Sequence, residues 1–314
     1  MSHSVRSCHV PAQVMDATTT VSMGQRAGVL LALIAPFLGL LVAVYGFWGW
    51  GLSWIDLALL AVMYVATGLG VTIGFHRLFT HRSFETSRPV KLLLAVLGSM
   101  AVEGSLLRWV ATHRQHHQHS DQVDDPHSPR RLGDGLLGAL AGWWHGHIGW
   151  TLETRAVDFN RYAQDLQRDD GLRRVSRLFG LWVGLGFLIP AVAGGLVTRT
   201  PTGALLGFLW GGLVRVFLIH HVTWSINSVC HLWGTRPFRT RDRSCNNFFC
   251  GFLSFGEGWH NNHHAFPTSA RHGLRWWQLD VSYLVIYLMR WLGLAWCVRV
   301  PALDQRVDRR VPGT

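Results

Sequence analysis

Residues 53–81 read SWIDLALLAVMYVATGLGVTIGFHRLFTH and contain the two features on which the architecture depends. The segment up to Phe75 is apolar apart from one charged side chain, Asp56, near its start. A run of about 20 mostly apolar residues is long enough to cross a bilayer as a helix. The run stops at two histidines, His76 and His81, and imidazole is the commonest metal-binding side chain. A membrane span therefore leads directly into a candidate metal site.

The composition of the whole chain agrees with a membrane protein. Of 314 residues, 49% are hydrophobic and 15% are charged. Because soluble domains carry about 25% charged residues, this chain has too few to cover a large soluble surface. The apolar content excludes a disordered chain, and 34 glycines without a period and 5 cysteines exclude collagen-like and disulfide-rich proteins. Two unusual features remain, namely 18 histidines and a net charge of +11.

Three further stretches are long and apolar enough to span a membrane, so the fold class is predicted as all-α and integral to the membrane. Short turns join the first span to the second and the third to the fourth, which gives two helical hairpins. We place the spans at about 29–49, 53–75, 178–198 and 202–227, and a cytoplasmic helical cap at 76–177 and 228–298. The membrane domain then covers 28–298, between a disordered N-terminal tail (1–27) and a C-terminal tail (299–314).

Two other apolar stretches, 92–107 and 276–298, are predicted to be interfacial or partly inserted helices. The first reaches about 24 Å at 1.5 Å per residue, which is short of a bilayer core of about 30 Å. Arg290 interrupts the second. If neither stretch crosses the bilayer, every histidine cluster of the chain lies on the same side of the membrane.

The basic residues indicate which side that is. Of 29 Lys and Arg residues, only Arg199 and Arg215 lie outside the N-terminal tail, the 76–177 segment and the segment after Asn227. The positive-inside rule makes those three segments cytoplasmic. We therefore expect a multi-pass protein of the inner membrane, with both termini and the active site in the cytoplasm. The basic balance is explained by topology and anionic lipid, so no nucleic-acid partner is expected.

The histidines form a pattern that favours metal binding. His76 and His81 follow the second span, and two HxxHH words follow at 113–117 and 260–264. His231 comes just after the fourth span, with Asn227 four residues before it. Positions i, i+3 and i+4 share one helix face, so each HxxHH presents three imidazoles to one side. Two such words are rare by chance, even in a chain rich in histidine.

Nine imidazoles exceed what a single metal ion needs, since zinc takes four ligands. Two ions with four or five nitrogens each would use the whole set. Neutral imidazole suits iron, copper, nickel or zinc. A nitrogen-rich site with few carboxylates suits a redox metal that reacts with O₂ at the membrane surface. Asn227, one turn before His231, is placed to hold a metal-bound water.

This order of histidine clusters resembles that of integral-membrane fatty acid desaturases, in the bacterial form of the Δ9, stearoyl-CoA-desaturase-like branch. The matching words cover roughly residues 53–280. They are GFHRLFTH at 74–81, HRQHH at 113–117, DPH at 125–127, TWSINSVCH at 223–231 and GEGWHNNHHAFP at 256–267.

The resemblance implies an O₂-dependent desaturase that uses two iron ions and introduces a cis double bond, at carbon 9, into a saturated acyl chain. It implies nine histidine ligands and one asparagine that acts through a water. Carried onto this chain, these ligands are His76, His81, His113, His116, His117, His231, His260, His263, His264 and Asn227.

The resemblance also implies a bent substrate tunnel shaped by Trp109 and Thr223. One position departs from the pattern, because the animal enzymes have an Arg-Asp pair where this chain has Ala111-Thr112. The carrier therefore stays open among acyl-CoA, acyl-carrier protein and a lipid-bound chain. Arg108 and nearby arginines are alternative phosphate contacts.

Three residues around the clusters receive supporting or peripheral roles. Glu257 and His127 are predicted to hydrogen-bond the ligand histidines from outside. His272 is predicted to lie at the surface.

The chain shows no dinucleotide fingerprint and no cytochrome b5-type domain, so electrons are expected from a separate protein such as a ferredoxin with its reductase. The arginine-rich segment 236–243 is a candidate docking surface, with lipid headgroup contact as the alternative. Two other functions stay open. A related di-iron hydroxylase would give hydroxy acids, and a metal transporter would line a path through the bundle with its histidines.

Overall fold

The computed structural model describes residues 22–46, 52–130, 135–153 and 157–313. Almost all regular structure in these residues is helical. In chain order the elements are α1 (Met23–Gly46), α2 (Trp54–Thr80), β1 (Glu85–Thr86), α3 (Arg88–Ser99), α4 (Leu106–His119), α5 (135–152), α6 (Phe159–Tyr162), α7 (Gln164–Gln167), α8 (Asp170–Arg177), α9 (Phe179–Thr198), α10 (Pro201–His231), α11 (Phe248–Leu253), α12 (His260–Ala265), α13 (Val281–Trp291), β2 (Ala295–Trp296) and α14 (Leu303–Asp308).

Four of these helices, α1, α2, α9 and α10, are long and apolar enough to cross a membrane. They correspond to the four predicted spans, and the all-α prediction is confirmed. In the described part of the chain, sheet pairing is limited to β1 and β2, in which Glu85 lies opposite Trp296 and Thr86 opposite Ala295, and to isolated bridges.

Capping residues decide where the first two spans begin. The Ser22 side chain accepts from the Gln25 amide while the Gln25 side chain accepts from the Ser22 amide, so α1 begins at Met23. The predicted tail of 1–27 is therefore too long at its C-terminal end, and residues 1–21 lie outside the described part. Ser53 and Asp56 form the same reciprocal pair at the start of α2. The charge near the start of the second span is thus a cap.

The second span continues five residues beyond its predicted end at Phe75. From Gly70 to Thr80 the helix is a wide π-helix, and the His81 amide hydrogen-bonds the His76 carbonyl across five residues at 3.1 Å. In a regular α-helix, residues five apart would point about 140° away from each other. The wider turn brings both imidazoles to the same side, with ring centroids 4.8 Å apart.

Glycines allow the second hairpin to close tightly. A Cβ added at Gly203 would lie 1.8 Å from the Thr198 hydroxyl oxygen, and one at Gly194 would lie 2.2 Å from the Gly203 carbonyl oxygen. Small residues at such contacts let membrane helices approach closely, where dispersion replaces the hydrophobic effect as the attractive force. The α9–α10 pair therefore packs backbone against backbone.

The two predicted interfacial stretches are shorter helices than expected. The 92–107 stretch is broken, because α3 ends at Ser99 and α4 begins at Leu106. The intervening turn has positive φ at Val102 (66°) and Gly104 (106°), which a continuous helix excludes. In the 276–298 stretch only Val281–Trp291 is helical. Neither belongs to the four candidate spans.

The cap packs against the end of α2 through one apolar core. Phe75 and Leu78 of α2 belong to the same core as Leu106 of α4 and Ile286 of α13. The segment after residue 298, predicted as a tail, joins the same body: the Arg299 amide donates to the Ser83 carbonyl at 2.9 Å. The histidines carried by α2, α4, α10 and α12 are thereby brought together at one end of the helix bundle.

Candidate metal centre

Nine histidines meet in two neighbouring groups, and in each group the possible ligand atoms all lie within 4.8 Å of one another. The structure therefore divides the nine into five and four. The first group is His76, His81, His113, His117 and His263, and the second is His116, His231, His260 and His264.

Each HxxHH word is divided between the two groups. On α4, His113 and His117 point together, with 3.1 Å between their Nε2 atoms, while His116 belongs to the other group. On α12, His260 and His264 point together at 3.0 Å, while His263 crosses to the first group. Positions i and i+4 thus share one group, and the i+3 histidine belongs to the other group. A spacing rule alone predicts a common face but not this division.

The donor atoms fit metal ions. The Nε2 atoms of His81 and His116 are buried and have no hydrogen-bond partner among the described residues. Burial first, and neighbouring imidazoles second, hold the pKa values of His113, His117 and His263 well below the usual range. These rings are therefore neutral at pH 7, which is the form that binds metal. Convergent, neutral and partly unpaired nitrogens are the donor set that a transition metal requires.

Carboxylates fix three of the four histidines in the second group from outside. Asp125 contacts His116 Nδ1 at 3.0 Å, Asp121 contacts His231 Nδ1 at 3.1 Å, and Asp242 contacts His264 Nδ1 at 2.7 Å. Such contacts set the tautomer and raise ligand basicity.

None of these aspartates was predicted to have a role. Asp125 stands in a matching word, DPH, which was a usable signal. Asp121 and Asp242 come close only because their loops fold over the site. Burial raises the pKa of Asp125 to about 7. At Asp121 burial acts the same way, but His231 brings the pKa down to about 2.

The first group has one such carboxylate. Glu257 Oε2 lies 2.6 Å from His76 Nδ1, as the sequence predicts for this residue. The ring of His127, the other predicted supporting residue, is tilted by 33° against the His116 ring at 4.3 Å, and its Nδ1 lies 3.8 Å from Asp125. Glu257 is therefore placed to orient His76, whereas His127 Nδ1 has no hydrogen-bond partner among the described residues.

A buried ionic network surrounds Glu257. The fully buried Arg77 contacts Glu257 at 3.2 Å, Asp280 at 3.0 Å and His272 Nδ1 at 3.1 Å. The prediction that His272 lies at the surface is wrong, because its side chain is completely buried in this network. The residues around Arg271-His272-Gly273 read as an ordinary polar loop, and the ring is buried because it contacts Arg77 of α2, Glu257 and His263 of α12.

Comparison with known proteins decides the family. A family model described as fatty acid desaturase matches residues 52–281. This chain belongs to the fatty acid desaturase family. The predicted family and enzyme class are confirmed, since curated relatives of this desaturase are oxidoreductases that act on acyl chains.

Three relatives show the range of named activities. The desaturase is 41% identical over 274 residues (87% of this chain, 85% of the relative) to a hex-5-enoyl-[acyl-carrier protein] acetylenase of Moorena producens. It is 39% identical to an acyl-CoA C20 Δ5-desaturase of Anemone leveillei (81% and 75%). It is 37% identical to an sn-1 stearoyl-lipid 9-desaturase of Anabaena variabilis (84% and 92%).

A cavity reaches the two histidine groups of the desaturase. His76, His113 and His260 form part of its wall, together with Asn227. The predicted tunnel residues Trp109 and Thr223 also line it, as do several apolar side chains. The Trp109 ring stacks on the His113 ring at 4.9 Å. An apolar ligand in this cavity would therefore contact both the tunnel residues and the histidines.

One acidic residue of the cavity wall was not predicted. Glu103 lies in the turn between α3 and α4, and its Oε1 is shielded from solvent without a partner in the described residues. Its side chain interacts with Thr223, and burial raises its pKa to about 8. The turn is held by His220 of α10, which bonds the Val102 carbonyl at 3.1 Å. Glu103 is therefore a neutral carboxylic acid at pH 7.

The departure at Ala111-Thr112 also lies at the cavity. Ala111 is fully buried, while Thr112 and Arg108 line the wall. A positive side chain thus stands one helical turn before Thr112, on the same helix, α4.

Proposed function

We propose that this desaturase introduces a cis double bond, at carbon 9, into a saturated acyl chain with O₂ as oxidant. The single observation that carries the proposal is the cavity, since its apolar interior opens directly onto the two histidine groups.

The proposed centre holds two iron ions. His76, His81, His113, His117 and His263 would bind the first, and His116, His231, His260 and His264 would bind the second, with Asn227 acting through a water. When bound, the ions supply the redox chemistry that activates O₂ and removes two hydrogens from adjacent methylenes. The ten residues are those that the family resemblance implied.

The protein's own task is to position an unreactive chain. Val71 and Ile219 in the cavity wall contact methylenes without offering hydrogen bonds, so they exclude water. Trp109, stacked on His113, and Thr223, held by Glu103, fix the wall next to the centre. Holding the reacting carbons near the histidines lowers the entropic cost of orienting a flexible chain for reaction.

The cytoplasmic placement of the centre belongs to the same proposal. It rests on the Lys and Arg distribution and on anionic inner leaflets. The carrier of the acyl chain is left open, because the Arg-Asp pair is missing and Arg108 lines the cavity instead. The relatives are named for substrates carried by acyl-carrier protein, CoA and lipid. We therefore propose an acyl chain as the substrate, whichever carrier holds it.

A second candidate activity is favoured by one relative, the Moorena producens acetylenase, whose named substrate already contains a double bond. An acetylenase would use the same cavity and would form a triple bond. The hydroxylase alternative would leave an oxygen on the chain. The metal-transporter alternative is disfavoured, because the nine histidines gather at one end of the bundle instead of following a path through it.

The test is expression in a host that lacks unsaturated fatty acids of this class, with a ferredoxin and its reductase supplied. Mass spectrometry with double-bond location should give a cis-9 product. The His260→Ala variant should abolish it, while His119→Ala, whose ring contacts the Tyr162 hydroxyl at 3.5 Å, should retain it. A triple bond or a hydroxy acid would replace the proposal by the corresponding alternative, and an active His260→Ala enzyme would refute it.

A further inference from the structure

Four exposed arginines form one surface above the second histidine group. Arg239, Arg241 and Arg243 lie on the loop before α11, and Arg310 follows α14. Backbone bonds join the two segments, since the Arg239 amide donates to the Arg309 carbonyl at 2.8 Å and Phe238 pairs with Arg310. We call these four residues the arginine surface. They outnumber the two exposed acids of the adjoining α14.

The loop of the arginine surface directly contacts the outside of the metal centre. Asp242, between two of the arginines, turns inward and bonds His264 Nδ1 at 2.7 Å, and only 9% of its side chain is exposed. The next residue, Arg243, donates its backbone amide to Asp121 at 2.7 Å, and the same carboxylate oxygen bonds His231. Asp242 therefore connects the arginine surface to His264, and Asp121 connects it to His231.

The loop is also held in place, which a docking site requires. The Arg236 side chain bonds the Thr240 hydroxyl and the Asp242 carbonyl, and it closes the loop on itself. Arg309, whose guanidinium bonds the Ala265 carbonyl, fixes the neighbouring segment to α12. The four residues of the arginine surface have exposed side chains, so their charges face outward.

We propose that the arginine surface is the docking site of a small acidic one-electron carrier protein, and that Asp242 and His264 connect that site to the metal centre. The inference rests on the proposed function. The overall reaction, –CH₂–CH₂– + O₂ + 2 H⁺ + 2 e⁻ → –CH=CH– + 2 H₂O, requires two electrons beyond those from the substrate. Each carrier is oxidised by one electron, so two docking events supply one turnover.

Electrostatics selects this kind of partner. A patch of one charge sign speeds the encounter with a protein of the opposite sign, and salt weakens the effect. Rim charges of this kind mainly change the association rate and the salt dependence of binding. An acidic carrier that docks here would be placed over the loop that bonds His264, so attraction and electron delivery use the same residues.

The test compares two reductants on the intact enzyme in detergent. The first is a plant-type [2Fe–2S] ferredoxin with its reductase and NADPH, and the second is dithionite-reduced methyl viologen, which needs no protein docking. The variant carries Arg239→Glu, Arg241→Glu and Arg243→Glu. Its KM for ferredoxin should rise about tenfold or more, because steering contributes 10- to 1,000-fold to such rates. Its viologen-driven rate should match that of the wild type.

A matched control carries the same charge change on another part of the cap. Arg168, Arg174 and Arg177 are exposed residues near α8, and their conversion to Glu should leave the KM for ferredoxin unchanged. An unchanged KM in the first variant, or an equal rise in the control, would overturn the proposal. Equal losses of activity with both reductants, if they depend on anionic lipid, would also overturn the proposal, because they would indicate that the surface binds lipid headgroups. If the wild-type enzyme formed no desaturated product with both reductants, that result would instead refute the proposed desaturase function.

Discussion

Replacement of Asp242 by Asn should weaken one metal position and spare the other. Asp242 Oδ2 lies 2.7 Å from His264 Nδ1, while Oδ1 accepts from the Ser244 amide at 3.0 Å and from its hydroxyl at 2.6 Å. An asparagine has one amide oxygen, so it can accept from His264 or from the Ser244 amide, not from both. The variant also loses the negative charge that raises the basicity of His264.

The structure gives the expected size and the selectivity of this effect. Loss of an outer carboxylate typically costs about 10- to 100-fold in metal affinity, or about 1.4–2.8 kcal/mol. Because His264 belongs to the group of four, only the ion of that group should weaken. Asp121 and Asp125 still support that group, which limits the loss. Glu257→Gln should produce the reciprocal pattern, since Glu257 bonds His76 of the group of five.

The assay measures iron retained per protein against chelator concentration. Asp242→Asn should release about half of its iron at a chelator concentration about 10- to 100-fold lower than the wild type does. Asp170→Asn is the matched control, because that carboxylate is 77% exposed and pairs with Arg173, outside the two histidine groups. Release of all the iron in one step by Asp242→Asn, or wild-type retention, would refute the assignment of His264 to a separate group.

Three further predictions concern other parts of the molecule. Arg77→Met leaves two buried carboxylates without their cation and should cost about 3–5 kcal/mol, seen as a lower Tm in detergent; Arg82→Met, with a 63% exposed side chain, should cost about 1 kcal/mol or less. Glu103 is protonated below its pKa of about 8 and charged above it, so the wild-type rate should fall up to about tenfold between pH 7 and 9, whereas a Glu103→Gln enzyme should not share this alkaline loss. Gly203→Leu should lower the Tm more than Gly184→Leu, since a Cβ at Gly184 meets nothing within 4 Å; equal Tm values would contradict close packing of the second hairpin.

The sequence by itself determined the architecture and the inventory of the site. Apolar length and the absence of charge are local properties, so the four spans could be found without any tertiary information. The spacing of His113, His116 and His117 likewise predicted that they share a helix face. The motif words then connected these residues to one family, which the comparisons confirmed.

Only the tertiary structure decided how the histidines are divided and what surrounds them. The π-helix at the end of α2 turns His76 and His81 to one side, and the i+3 histidine of each HxxHH crosses to the other group. The aspartates on His231 and His264, the buried His272 and the cavity carboxyl of Glu103 depend on contacts between segments far apart in the chain. Periodicity describes one element at a time. Burial and hydrogen bonding between elements are fixed only when the cap closes over the ends of the membrane helices.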